Sequence, residues 1–284
     1  MIFRSRAASK HIAERIDGMG AITTTENAAT NRRQFLGTAA AVAATALIKG
    51  RSVPAQGIQR AIKAVAFDAF AIFDARSVFR LAEELFPGRG MALSDQWRTR
   101  QFEYTWLRNS MRQYTDFWRV TQDALNYAAK ESGVKLATQQ RTRLMSAYLQ
   151  LNPWPDVATV ILTLWKRGIR LALLTNWTLA MQHACLQGSG LEAMFELQLS
   201  TDSVKAFKPD PAAYRMGLEA FHLQKHEIAF VAFGGWDAAG AKAFGYPTYW
   251  VNRFNMPPEE LDEPVDATCQ DLSSLSNFVG GNAS

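Results

Sequence analysis

Cysteine is nearly absent from this chain of 284 residues: Cys185 and Cys269 are the only two. Two distant cysteines build no disulfide framework, and no paired Cys/His spacing offers a zinc site. Histidine is scarce as well. His11, His183, His222 and His226 sit in no recognisable catalytic context. The apolar stretch Thr38–Ile48 falls short of the about 20 residues a membrane-crossing helix needs. There is no internal repeat and no low-complexity segment beyond the N-terminal leader. Most of the chain also lacks net charge. The whole carries 31 Lys+Arg and 26 Asp+Glu, a formal +5, but residues 1–55 hold eight of the basic and three of the acidic residues. Residues 56–284 keep 23 of each, a net of zero. That excludes phosphate-backbone binding by the globular part, so nucleic acid is not an expected partner.

What is present is a foldable composition: 48% hydrophobic, 20% charged and 11% aromatic. Such a chain is neither disordered nor collagen-like. Its length suits a core domain with a smaller inserted one. The leader has its own signature. Arg32-Arg33-Gln34-Phe35-Leu36 precedes the Ala-rich stretch Thr38–Ile48, and Val53-Pro54-Ala55 forms a small-residue exit. An arginine pair, a short apolar region and small residues read as a twin-arginine export signal. Residues 1–55 are therefore expected to be the leader, the twin-arginine translocase its partner, and the destination the periplasm or another exported location.

The remainder alternates. Lys63–Phe67 is a short apolar run ending at Asp68, and similar runs follow at Arg170–Leu174, Ile228–Phe233 and Pro247–Val251. Between them lie helical patterns at Asp156–Lys166, Leu179–Gln187, Pro211–Phe221 and Asp237–Phe244. Strands alternating with helices predict an α/β fold, a Rossmann-like parallel sheet with helices on both faces. Asp68, Thr175-Asn176 and Gly234–Asp237 then gather at the carboxyl edge of the strands, where such sheets bind ligands. Residues 77–151 break the alternation with four helix-period stretches, Val78–Phe86, Asp95–Arg108, Tyr114–Lys130 and Thr138–Leu149, and no clear strand. The expectation is an α/β core over 60–75 and 155–275 with an inserted α-helical cap over 77–151. Pro153-Trp154-Pro155 reads as the return hinge.

Five short motifs line up on this frame: Phe67-Asp68-Ala69-Phe70, the cap run Trp97–Arg108, Leu174-Thr175-Asn176, Phe207-Lys208-Pro209-Asp210 with Tyr214 behind it, and Gly234-Gly235-Trp236-Asp237 with Gly240. Together they resemble the haloacid dehalogenase superfamily, and more narrowly the L-2-haloacid dehalogenases with their small helical cap. The resemblance runs from about residue 62 to about residue 275.

The chemistry can be read from the residues beside it. A nucleophilic carboxylate in a partly dry site stays ionised with a lysine beside it, roles that fit Asp68 and Lys208. Taken singly, Asp68 also fits a strand-end carboxylate capping the next turn, and Asp210 the cap of the helix that starts at Pro211. Asp237 either holds Lys208 or caps its own helix. Thr175 and Asn176 offer a hydroxyl and an amide to the carboxylate or the substrate. Arg98 is the cap cation placed to receive a departing halide or a substrate carboxylate. Phe70, Phe102, Phe117 and Trp236 would wall an apolar pocket, and Tyr214 is counted with the substrate-binding residues. Phosphatases of the superfamily carry a second aspartate two places after the nucleophile; here that place is Phe70, which can neither protonate a leaving alkoxide nor help hold a metal. No metal and no cofactor are expected.

Three hydrogen-bonding groups of the dehalogenase pattern are missing. The loop after the nucleophile is one residue shorter and lacks its Gly-Thr, and the late Ser and Asn are replaced by Ala232 and Gly234. The leading expectation is hydrolytic dehalogenation of short 2-haloalkanoic acids through an aspartyl ester at Asp68. The alternative is an exported family member that binds without dehalogenase turnover or takes another substrate; a phosphatase-like hydrolase is the weaker third. A small molecule is the expected ligand and a second copy of the chain, as a homodimer, the other expected partner.

Overall fold

The computed structural model describes residues 62–280, so the expected export signal lies outside the described residues. The first strand, β1 (Ala64–Phe67), is buried on both faces and runs into the four-residue helix α1 (Ala69–Ile72) and the short strand β2 (Phe73–Asp74). Four helices follow: α2 (Arg76–Leu85), α3 (Gly90–Met111), α4 (Phe117–Glu131) and α5 (Thr138–Ala147). The return is β3 (Asn152–Pro153), which pairs antiparallel with β2 and makes the expected hinge a two-stranded ribbon. No strand lies within 77–151. The chain then alternates: α6 (Val157–Lys166), β4 (Arg170–Thr175), α7 (Leu179–Ser189), β5 (Leu197–Ser200), α8 (Pro211–Phe221), β6 (Ile228–Ala232), α9 (Gly235–Phe244), β7 (Thr248–Val251), β8 (Ala267–Cys269) and α10 (Leu275–Val279).

Six strands form one parallel sheet in the order β5-β4-β1-β6-β7-β8. Its faces are written in the period-2 alternation of the strands. Val65, Phe67, Leu171, Leu173, Ala229 and Val231 point to one face, where α6, α7 and α10 pack. Ala64, Ala66, Ala172, Leu174, Ile228 and Phe230 point to the other, against α8 and α9. Small alanines at the centre of this second face let those helices approach closely. Burial on both faces is why the central strands read as continuous apolar runs.

Helix ends follow local chemistry. Asp116 caps α4 by accepting from the Arg119 N–H at 2.8 Å, so that helix starts at Phe117 and not at Tyr114. Tyr114 instead reaches out to the carboxylate of Asp202 in the core. Asp210 caps α8 with Pro211 at its first position. Asp156 was expected inside its helix. Its carboxylate is taken by Arg253 and the Leu272 N–H, and α6 begins one residue later.

The helical layer is stitched internally and to the sheet. Trp97 Nε1 donates to the Thr121 carbonyl at 2.8 Å, and Gln101 Nε2 to the Thr121 hydroxyl at 2.7 Å, joining α3 to α4. Asn109, near the end of α3, exchanges two hydrogen bonds with the backbone of Phe207, at 2.9 and 2.7 Å. The residue immediately after that anchor is Lys208.

Candidate active site

β1 delivers Asp68 to the carboxyl edge of the sheet at its centre. Its backbone N–H still belongs to the ladder, donating to the Val231 carbonyl at 2.9 Å, so the Cα is fixed by the sheet. Oδ2 accepts from the Phe70 N–H at 3.0 Å and Oδ1 from Lys208 Nζ at 2.8 Å. Asp68 thus does cap the next turn, and it also pairs with the lysine. The Phe70 N–H serves the carboxylate in a loop that has no hydroxyl donor.

Lys208 is fully buried and donates at 2.6 Å to Asp237 Oδ2 as well. Its own N–H donates to Asn176 Oδ1 at 2.9 Å, which fixes the loop that carries it. Of the two roles open to Asp237, the structure shows the first: α9 has Gly234 at its N-cap and no side-chain cap, while Asp237 holds the lysine. Burial alone lowers a lysine pKa, but the charges of Asp237 and Asp68 outweigh it and hold Lys208 above its ordinary value. Asp237 is pushed up to about 6, chiefly by burial and further by the Asp68 charge, with Lys208 pulling the other way.

Tyr214 is a correction. It was expected at the substrate, but it is completely buried behind the lysine, where its hydroxyl donates to Asp237 Oδ1 at 2.7 Å. Gly240 makes the approach possible, because a Cβ there would lie 2.6 Å from the tyrosine hydroxyl. Tyr214 holds the residue that holds the lysine.

In front of Asp68 opens a cavity of about 480 Å³. Thr175, Asn176, Phe70, Phe102, Phe117 and Trp236 all line it, as does Arg98 from α3. Arg98 has no carboxylate partner among the described residues. Its neighbours differ: Arg100 pairs with Glu103 at 2.6 Å and Arg108 with Asp123 at 3.1 Å. The cavity is therefore lined by an exposed cation with no carboxylate partner among the described residues.

Several lining residues escaped the sequence reading: Trp106, Trp177, Phe233 and the segment after β7 from Asn252 to Glu259. Trp177 stacks on Phe73 at 5.8 Å and meets Phe70 edge-on at 5.2 Å. Its indole Nε1 is buried without an acceptor among the described residues. A tryptophan directly following Thr175-Asn176 at a strand end was the available signal.

A family model for haloacid dehalogenase-like hydrolases matches residues 6–245. The chain belongs to this family. It is 38% identical over 219 residues to haloacetate dehalogenase H-2 of Moraxella sp. (strain B), covering 77% of this chain and 98% of that protein. It is 39% identical over 206 residues to the (S)-2-haloacid dehalogenase of Pseudomonas sp. (strain YL), with 72% and 89% covered. Among solved structures, the L-2-haloacid dehalogenase RSc1362 superposes with a TM-score of 0.76 at 39% identity, covering 78% of this chain and 99% of that one. The L-2-haloacid dehalogenase of Xanthobacter autotrophicus superposes with a TM-score of 0.73 at 32% identity, covering 78% and 100%. As a haloacid dehalogenase-like hydrolase, the chain keeps an aspartate, a lysine and a second aspartate in one hydrogen-bonded row.

Proposed function

We propose that this enzyme is an (S)-2-haloacid dehalogenase working through a covalent aspartyl ester. The observation that carries the reading is the buried row Asp68–Lys208–Asp237 at the floor of a cavity that Arg98 also lines. An Asp68 oxygen attacks carbon 2 of the haloacid, the carbon–oxygen bond forms, and the carbon–halogen bond breaks with its electron pair on the halide. Arg98 receives the halide, and the Lys208 ammonium keeps Asp68 in its anionic, attacking form. Water then adds to the Asp68 ester carbonyl, returning the carboxylate and releasing a 2-hydroxy acid. One supporting finding comes from the Xanthobacter relative, which has been solved with chloropropionic acid covalently bound.

The test is a single turnover in heavy-oxygen water. The ester route predicts little label in the first product and early label in the Asp68 carboxylate, because solvent oxygen enters at the carbonyl. Asp68→Asn should lower turnover by roughly four orders of magnitude or more, since an amide is a poor nucleophile. Label appearing directly in the first product would remove the ester route.

A second reading, a family member without dehalogenase turnover, is favoured by Ala232, Gly234 and the missing hydroxyl after Asp68. Halide release from purified protein separates the two. The same proposal includes export: Arg32 and Arg33 begin a twin-arginine signal, and changing both to Lys should leave unprocessed protein inside the cell. Normal export of that double variant would count against the signal. Self-association as a homodimer completes the proposal.

A further inference from the structure

The cavity in front of Asp68 is much larger than a short haloacid requires. A 2-chloropropionate claims roughly 180 Å³ at the ~30 Å³ that liquid water takes per non-hydrogen atom. The cavity offers about 480 Å³. More than half of it remains after the reacting end is seated, and its walls say what fills the rest.

Two arms of aromatic rings lead outward from Phe70, the ring two places after the nucleophile in sequence. Along one arm Phe70 meets Phe102 at 6.3 Å, Phe102 meets Trp236 at 5.4 Å, and Trp236 meets Trp106 at 5.5 Å. Along the other, Phe70 meets Phe233 at 6.2 Å and Phe233 meets Phe254 at 5.9 Å. Both arms end on rings left open to solvent, Trp106 at 37% and Phe254 at 46% exposure. The spacings are those of edge-to-face and offset aromatic contacts, so an inserted ring would continue the series.

The missing asparagine belongs to the same construction. At Gly234 a Cβ would lie 2.7 Å from Trp236 Nε1 and 3.2 Å from its Cδ1. Any side chain there would displace the indole from the cavity wall. With glycine at this position, the Trp236 indole lies directly against the backbone where the polar side chain is missing. The lining also includes the carboxylates of Glu103 and Glu259. Glu103 is paired with Arg100, so Glu259 is the carboxylate there that would disfavour a second anionic group on the substrate.

We propose that the preferred substrate is a 2-halocarboxylate bearing an aryl group, with the ring seated between the two aromatic arms. This rests on the dehalogenase reading of the same site. The experiment compares kcat/KM for (S)-2-chloro-3-phenylpropionate and (S)-2-chloropropionate by halide release. In parallel, calorimetry measures binding of the unreactive 3-phenylpropionate and propionate. Burying an aryl group should favour the phenyl compound about tenfold or more in both, and Trp106→Ala should reduce that preference. Turnover of 2-chloropropionate with no gain from the phenyl group overturns the aryl inference and leaves the dehalogenase reading standing. Tight binding of 3-phenylpropionate with neither chloride turned over supports the aryl site and defeats the dehalogenase reading. Absence of both turnover and discrimination defeats both.

Discussion

At the scale of single residues, the site is a problem in keeping charge buried. Asp68, Lys208 and Asp237 place two carboxylates on one ammonium, and each is nearly or fully withdrawn from water. Such a row needs hydrogen-bond partners for its buried charges, because an orphaned buried charge costs several kcal/mol. The Phe70 N–H and the Tyr214 hydroxyl serve the second oxygen of each carboxylate, so all four carboxylate oxygens have a donor. Since the charges of Asp237 and Asp68 hold Lys208 above its ordinary value of 10.5, it stays protonated from neutral pH to about pH 10. Turnover, followed as kcat/KM, should therefore run level from about pH 7 to about pH 10 on the lysine's account. Asp237→Asn removes the strongest charge raising the lysine while keeping a hydrogen-bonding group. Its alkaline limb should move to lower pH, and an unmoved limb would show that Asp237 does not set the lysine's charge. The acidic and basic members of this row were legible in the sequence, because motif spacing put each at a strand end or in a loop beside one. Tyr214 was not legible in the same way. Its position on α8 was clear, but whether a helical hydroxyl turns to the substrate or to the carboxylate behind it depends on packing. The aromatic walls were hidden for a related reason: singly, each ring reads as core, and only the tertiary fold opens Trp106 and Phe254 onto one cavity.

At the scale of elements, the strands that escaped the sequence reading are the outer ones. β5, Leu197-Gln198-Leu199-Ser200, and β8, Ala267-Thr268-Cys269, are the two edges of the sheet. Edge strands are short and half exposed, so they show no apolar run to read. The central strands and most helices carry their pattern locally and fall where the periodicity puts them. The segment after β7 is the other element the sequence left silent, and the structure shows what fixes it. Arg253 binds Asp156 through two hydrogen bonds of 2.9 and 3.1 Å, donates to the Ala71 carbonyl at 3.2 Å, and lies 4.6 Å over the ring of Trp154. One side chain thus straps the cavity wall to both passages of the chain between the sheet and the helical layer. Arg253→Ala should lower unfolding free energy by about 1–3 kcal/mol in urea titration, the range for charged hydrogen bonds lost from a buried partner. It should also make the 253–262 segment cleave faster in limited proteolysis. Unchanged stability and cleavage would show that the strap is idle.

At the scale of the whole molecule, its buried acids set the conditions under which the fold survives. Burial holds the phenols of Tyr148, Tyr214, Tyr246 and Tyr249 above their ordinary value of 10. It pushes the Cys185 thiol from 9.0 up to about 11. In each case the unfolded chain loses its proton first as pH rises, so the unfolded state gains and stability falls. Lys208 acts in the same direction: its contribution is complete below 10.5 and is lost as pH climbs through its raised value. Asp237 offers no opposing loss in acid, because a carboxyl raised to about 6 takes its proton while still folded. The fold should therefore weaken from about pH 9 upward. Cys185 alone contributes on the order of 2–3 kcal/mol of loss by pH 11, because each tenfold difference in proton affinity between the folded and unfolded thiol is worth about 1.4 kcal/mol. Thermal unfolding between pH 7 and pH 11 measures the decline, and the ultraviolet titration of tyrosine supplies an independent check. If burial is the cause, the buried phenols should ionise together with unfolding and not ahead of it. Phenols that titrate near 10 while the midpoint of unfolding stays constant would show that the sheet and its helices do not shield them.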